Sequence, residues 1–141
     1  MSTPKITVEH NGVTYTGRIG RIKSTSLGFE DHGILSAMLH FEWDGGGIGV
    51  GGFYLDMPKD RAGRDYTRTG TAYGLDHIMR LMETVGVNKW ENLPGNDAIV
   101  LFSGNGGWGT VSVGIAGLSN GQVFILKDHA KEWIATSAVI A

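Results

Sequence analysis

The chain has 141 residues, 41% of them hydrophobic and 18% charged, with a formal charge of -2 and no cysteine. That length suits one domain, burying roughly two-thirds of the surface its unfolded form exposes, and the composition excludes a disordered chain, which combines low hydrophobicity with high net charge. Twelve Lys plus Arg against fourteen Asp plus Glu leave no excess positive charge for a phosphate backbone, so nucleic acid is a disfavoured partner.

Without cysteine, neither disulfides nor thiolate metal sites are available. No apolar run approaches the roughly 20 residues needed to span a bilayer, and Met1-Ser2-Thr3-Pro4-Lys5-Ile6 lacks the apolar stretch of a signal peptide. A cytoplasmic protein that binds no membrane is expected.

Ile6, Val8, Val13, Tyr15 and Ile19 alternate with polar residues around Asn11-Gly12, a strong hairpin signal, which predicts two opening strands over 6–22. Ser24, Thr25, Ser26, Gly28, Asp31 and Gly33 then read as a loop. From Leu35 to Asp44 the alternation is the clearest in the chain, with Leu35, Ala37, Leu39, Phe41 and Trp43 on one face of a strand and Ser36, Met38, His40, Glu42 and Asp44 on the other.

Six glycines fall from Gly45 to Gly52, after which Phe53 to Leu55 reads as a resumed strand. Met57 to Thr71, with Pro58, Gly63 and Gly70, reads as a long exposed loop. The period then changes. Leu75, Ile78, Met79, Met82 and Val85 recur at helical spacing and Gly86 follows, which predicts an amphipathic helix over about 72–85. Asn88-Lys89-Trp90-Glu91 resembles a capping box opening a short turn that Pro94-Gly95 stops. Strands are predicted at 98–102, 110–116 and 122–126, with a turn at Asn120-Gly121, and Asp128 caps a short closing helix through Trp133. Together these elements predict an α+β domain: a mostly antiparallel sheet of several hairpins with one main helix.

The glycine-dense segment is the first candidate site. Gly47, Gly49, Gly51 and Gly52 lie in a G-x-G-x-x-G match, and the aromatic Tyr54 stands at its exit. Glycine lets backbone approach a ligand or another chain, but a strand follows where a dinucleotide fold needs a helix, so a closely packed hairpin is the alternative. Trp108 sits in a second glycine cluster, either as a platform for a flat ring or folded back as core. Asp31 and His32 lie between Gly28 and Gly33, a loop that forms either an ordinary turn or a pocket wall with the glycines.

Lys59, Arg61, Arg64 and Arg68 make the densest basic segment, suited to a phosphate-like anion. Aspartate precedes histidine at Asp31-His32, Asp76-His77 and Asp128-His129, but neighbours in sequence diverge on strands and helices, so Asp76 and Asp128 read as caps or dipole partners. His40, Glu42 and Asp44 share a strand face, yet His40 and Asp44 are about 13 Å apart along it, which favours a solvated face over a metal site. No serine-hydrolase elbow, zinc-protease helix or zinc-finger spacing occurs.

The phrases Leu27-Gly28-Phe29-Glu30-Asp31-His32-Gly33-Ile34, Gly49-Val50-Gly51-Gly52-Phe53-Tyr54-Leu55-Asp56, Gly70-Thr71-Ala72-Tyr73-Gly74 and Val87-Asn88-Lys89-Trp90-Glu91-Asn92-Leu93-Pro94-Gly95 resemble small uncharacterised proteins encoded by tailed bacteriophages and prophages. The resemblance spans roughly residues 20 to 100 and implies no catalytic residue. It implies action in the cytoplasm of an infected bacterium, by binding a host protein or sequestering a small anionic, nucleotide-like host signal, an anti-defence role included. A small metal-dependent hydrolase using Asp31, His32, His40 and Glu42, and a virion-assembly subunit, are the alternatives. Exposed hairpin edges make a homo-oligomer plausible.

Overall fold

The computed structural model describes residues 6–30, 33–58, 68–103 and 111–140, with Glu30 and residues 135–140 described through their backbone alone. The order is β1 (Ile6–His10), β2 (Val13–Glu30), β3 (Ile34–Trp43), β4 (Gly46–Gly52), β5 (Asp56–Pro58), β6 (Arg68–Gly70), α1 (Ala72–Val85), a 3-10 turn (Trp90–Asn92), β7 (Asp97–Phe102), β8 (Ser112–Ala116), β9 (Val123–Ile125) and α2 (Leu126–Ile140). A seven-stranded sheet runs β4-β3-β2-β7-β8-β9, with β1 also on β2, and β5 and β6 form a separate pair. Every ladder is antiparallel, giving the expected α+β architecture.

The turn chemistry follows the residues that permit it. Asn11 and Gly12, at φ 50° and 79°, turn β1 into β2, and Gly45, at φ 87°, turns β3 into β4. The turn before β9 is locked onto α1: the Asn120 amide donates to the Glu83 carbonyl at 3.2 Å and the Thr84 carbonyl at 3.1 Å.

Helix α1 begins where the Thr71 hydroxyl accepts the Gly74 N–H at 2.8 Å and itself donates to the Leu55 carbonyl at 2.6 Å. It ends at Gly86, whose left-handed backbone returns an N–H to the Met82 carbonyl at 2.8 Å. Both ends match the expected helix.

The alternating face of β3 is buried as expected. Ala37, Leu39 and Phe41 join Ile22, Val50, Val100, Ile115 and Phe124 against Leu81 of α1, with Ile78 and Met82 packed alongside. On the other side of the sheet, Tyr15, Leu101, Ala116 and Ile125 form a smaller cluster. The sheet also curls, bringing Ser112 of β8 to 3.4 Å from the Gly49 carbonyl of β4.

Several expectations are corrected. Residues 24–30 are strand, because β2 runs 18 residues with a bulge between Ile22 and Ser24 and stays paired to β3 up to Glu30, so tertiary pairing overrides the turn-forming composition. The glycine segment forms β4, the second strand of the closely packed hairpin expected as the alternative to a ligand site, but the strand stops where one was expected to resume, since Tyr54 is left-handed at φ 59°. Residues 56–58 and 68–70, placed in a long loop, pair as β5 and β6. Lys89 makes no side-chain cap to the 3-10 turn, and α2 starts at Leu126 and runs to Ile140, beyond the short helix expected.

Candidate functional site

Strand β4 is glycine-rich because its neighbours occupy the space of side chains. A Cβ on Gly51 would overlap the Ala37 carbonyl oxygen, one on Gly47 would sit 2.5 Å from the Phe41 carbonyl oxygen, and one on Gly52 would sit 2.6 Å from His77 Cε1. These three glycines are therefore needed for close strand and helix packing. At Gly49 the nearest atom is Met38 Sδ at 3.2 Å, the end of a flexible side chain. None of the four lines the pocket described next.

The chain leaving β4 carries Phe53 and Tyr54 outward, with 53% and 67% of their surfaces exposed. Both line a pocket of about 620 Å³, together with Met57, Tyr73, Trp133 and Ile134, between the start of α1 and the inner part of α2. Among the described residues assigned to a site from sequence, Tyr54 is the one placed in this pocket. A left-handed backbone costs a residue with a Cβ about 1–2 kcal/mol, so Tyr54 is held in a disfavoured conformation with its ring in solvent.

Arg68 stands beside this region, but its guanidinium is engaged. It donates from Nε to Asp56 Oδ2 at 2.7 Å and from Nη2 to Asp56 Oδ1 at 2.8 Å, while the Leu35 N–H donates to Asp56 Oδ1 at 3.0 Å. The hydrogen bonds from Arg68 hold the Asp56 carboxyl below the usual carboxylate range, against the upward push of burial, and the Leu35 N–H assists. Arg68 thus ties β6 to β5 and to the start of β3. Asp31, His32, Arg64 and Trp108 lie outside the described residues, as do Lys59 and Arg61.

Beneath the pocket is a cluster that pairs residues from two different Asp-His neighbours. His129 Nε2 lies 2.7 Å from Asp76 Oδ2, so this nitrogen carries the proton and donates it to the carboxylate. The Trp133 indole N–H lies 3.4 Å from the same oxygen and 3.2 Å from His129 Nε2. An indole can only donate, and His129 Nε2 is already a donor, so the carboxylate is its acceptor. Asp76 therefore does not cap α1, a role that Thr71 fills. Burial pushes the Asp76 carboxyl up, but the hydrogen bonds from His129 and Trp133, helped by the charges of His129 and Arg80, bring it below its ordinary value.

Tyr73 stacks on His129 with ring centroids 5.2 Å apart and planes at 27°. Behind them His77 is 1% exposed, its ring 5.1 Å from Phe124 and 5.8 Å from His129. Among the described residues, neither ring nitrogen of His77 has a hydrogen-bond partner, and His129 Nδ1 has none either. Burial lowers the His77 pKa from 6.5 to about 4, with His129 adding and Asp76 opposing. His77 is thus a neutral ring in a dry setting, distinct from the outer face, where His40 Nε2 and the Ser26 hydroxyl are 3.1 Å apart.

Sequence reasoning missed Tyr73 and Trp133 as walls of the pocket that Tyr54 lines, and His129 as the ring on which Tyr73 stacks. One signal was present: His129 and Trp133 are four residues apart, which places them on one face of a helix. Among the described residues, no group of three His, Asp or Glu side chains is arranged to hold a metal ion, and no helix is long and apolar enough to cross a membrane. No protein-family model, curated protein or solved structure matches the chain.

Proposed function

We propose that the protein acts by binding, without catalysis, and that its ligand is a small nucleotide-like molecule whose flat ring enters the pocket of Phe53, Tyr54, Tyr73 and Trp133. The observation that carries this reading is Tyr54: an aromatic side chain 67% exposed, on a left-handed backbone, at the mouth of an aromatic pocket. Stacking a base on an aromatic ring is worth about 1–3 kcal/mol, enough to offset the backbone cost. From sequence the anionic group falls to the basic residues Lys59, Arg61, Arg64 and Arg68, and because Asp56 engages Arg68 we assign it to the other three. The setting, an infected bacterium in which a host signal is sequestered, rests on the phage-like phrases.

Titration with adenosine and with adenosine monophosphate, followed by ligand-observed NMR, tests the reading. Wild type is expected to bind both saturably, the monophosphate more tightly and with a steeper dependence on salt. Tyr54→Gly should weaken both by tenfold or more while its thermal midpoint stays level or rises, because glycine accepts the left-handed backbone. Binding that survives this substitution unchanged, or wild type that binds neither compound, contradicts the proposal.

A further inference from the structure

We infer that Asp76 is a positioning residue for the pocket: through His129 and Trp133 it fixes two of the aromatic walls relative to each other. This rests on the pocket being the ligand site. The walls Tyr73 and Trp133 belong to different helices, α1 and α2. Asp76 of α1 links them through one carboxylate oxygen, which accepts from His129 Nε2 at 2.7 Å and from Trp133 Nε1 at 3.4 Å.

The same carboxylate also acts on the first wall. By holding the His129 proton on Nε2 it fixes the imidazole plane, and Tyr73 stacks on that plane at 27°. One group thus sets both the indole edge and the phenol face. The His129 side chain is 2% exposed and that of Asp76 is 35% exposed, so solvent reaches this pair from the Asp76 side. Charge-assisted bonds of this kind are directional, whereas the aromatic contacts around them tolerate sliding, so the geometry of the pocket depends on the carboxylate.

Asp76→Asn keeps the shape and removes the charge. Its effect is read in two ways on the same sample: adenosine affinity, and the nitrogen-15 and proton spectra of the His129 ring and the Trp133 indole N–H. In wild type the His129 proton should reside on Nε2 and adenosine should shift the Trp133 indole signal. Asp76→Asn should weaken adenosine binding by about tenfold, change the His129 tautomer and move the indole signal, with the fold intact by circular dichroism. Asp76→Glu, which restores the charge, should recover part of the affinity.

If Asp76→Asn changes the tautomer and the indole signal but leaves adenosine affinity alone, the link exists and does not position the site, which overturns the inference and spares the pocket. If the His129 proton is found on Nδ1 in wild type, the inference fails irrespective of any variant. If wild type binds no adenosine at all, the pocket reading itself fails and the inference falls with it.

Discussion

The free energy of unfolding is expected to fall by about 3 kcal/mol between pH 7 and pH 4, and His77→Leu is expected to remove that fall. The magnitude follows from a buried ring whose pKa is lowered from 6.5 to about 4, since each tenfold loss of proton affinity on folding is worth about 1.4 kcal/mol. The folded state refuses a proton that the unfolded chain accepts. Stability from His77 is therefore complete above pH 6.5, declines as the pH falls, and is lost once the folded pKa near 4 is passed. Asp56 and Asp76, both held below the ordinary 3.8, act in a separate window: their contribution is present above that value and is lost only as the pH drops through their lowered pKa values.

Denaturant titrations at pH 7, 6, 5 and 4 read the His77 window by itself, because both carboxylates titrate below it. Leucine at position 77 also removes two ring nitrogens that have no partner, so the variant should be at least as stable as wild type at pH 7. A wild-type profile flat to pH 4 would show that His77 is charged or hydrated in the folded protein.

The second large effect concerns the glycines of β4. Gly51→Ala is expected to destabilise by about 3 kcal/mol or to prevent folding, because its methyl group would overlap a backbone carbonyl oxygen that cannot move without breaking the β3–β4 ladder. Gly49→Ala should change stability by less than about 1 kcal/mol, because Met38 can turn away. Equal behaviour of the two variants in thermal unfolding would sink this account of why β4 is glycine-rich.

The contrast also shows what the sequence can and cannot express. Local signals are legible: the helical spacing from Leu75 to Val85 with Gly86 at its end, the two-residue period of β3, and Asn11-Gly12 each encode geometry within a few residues. The glycine segment likewise encodes close approach. What approaches is the β3 backbone, at Phe41 and Ala37, and His77 from α1, and no local pattern distinguishes these from a ligand.

The same limit hides the pocket. Tyr54 reads as one residue in a strand until its left-handed backbone is seen, and Asp76, next to His77, reads as a cap or dipole partner of the helix. On α1 the two side chains diverge, and the carboxylate instead meets His129, 53 residues further along. The expectation of a loop over residues 24–30 fails for a related reason: their composition favours turns, but β3 supplies a full ladder of partners along them.

The most direct test of the ligand site is a titration of isotope-labelled protein with adenosine monophosphate, followed by amide, aromatic and indole NMR signals. The largest shifts are expected at Phe53, Tyr54, Tyr73 and the Trp133 indole, tracing one saturable curve. Shifts confined to the β4 glycines and the outer face around His40, or no shifts at all, would contradict the assignment of this pocket as the site where the protein binds.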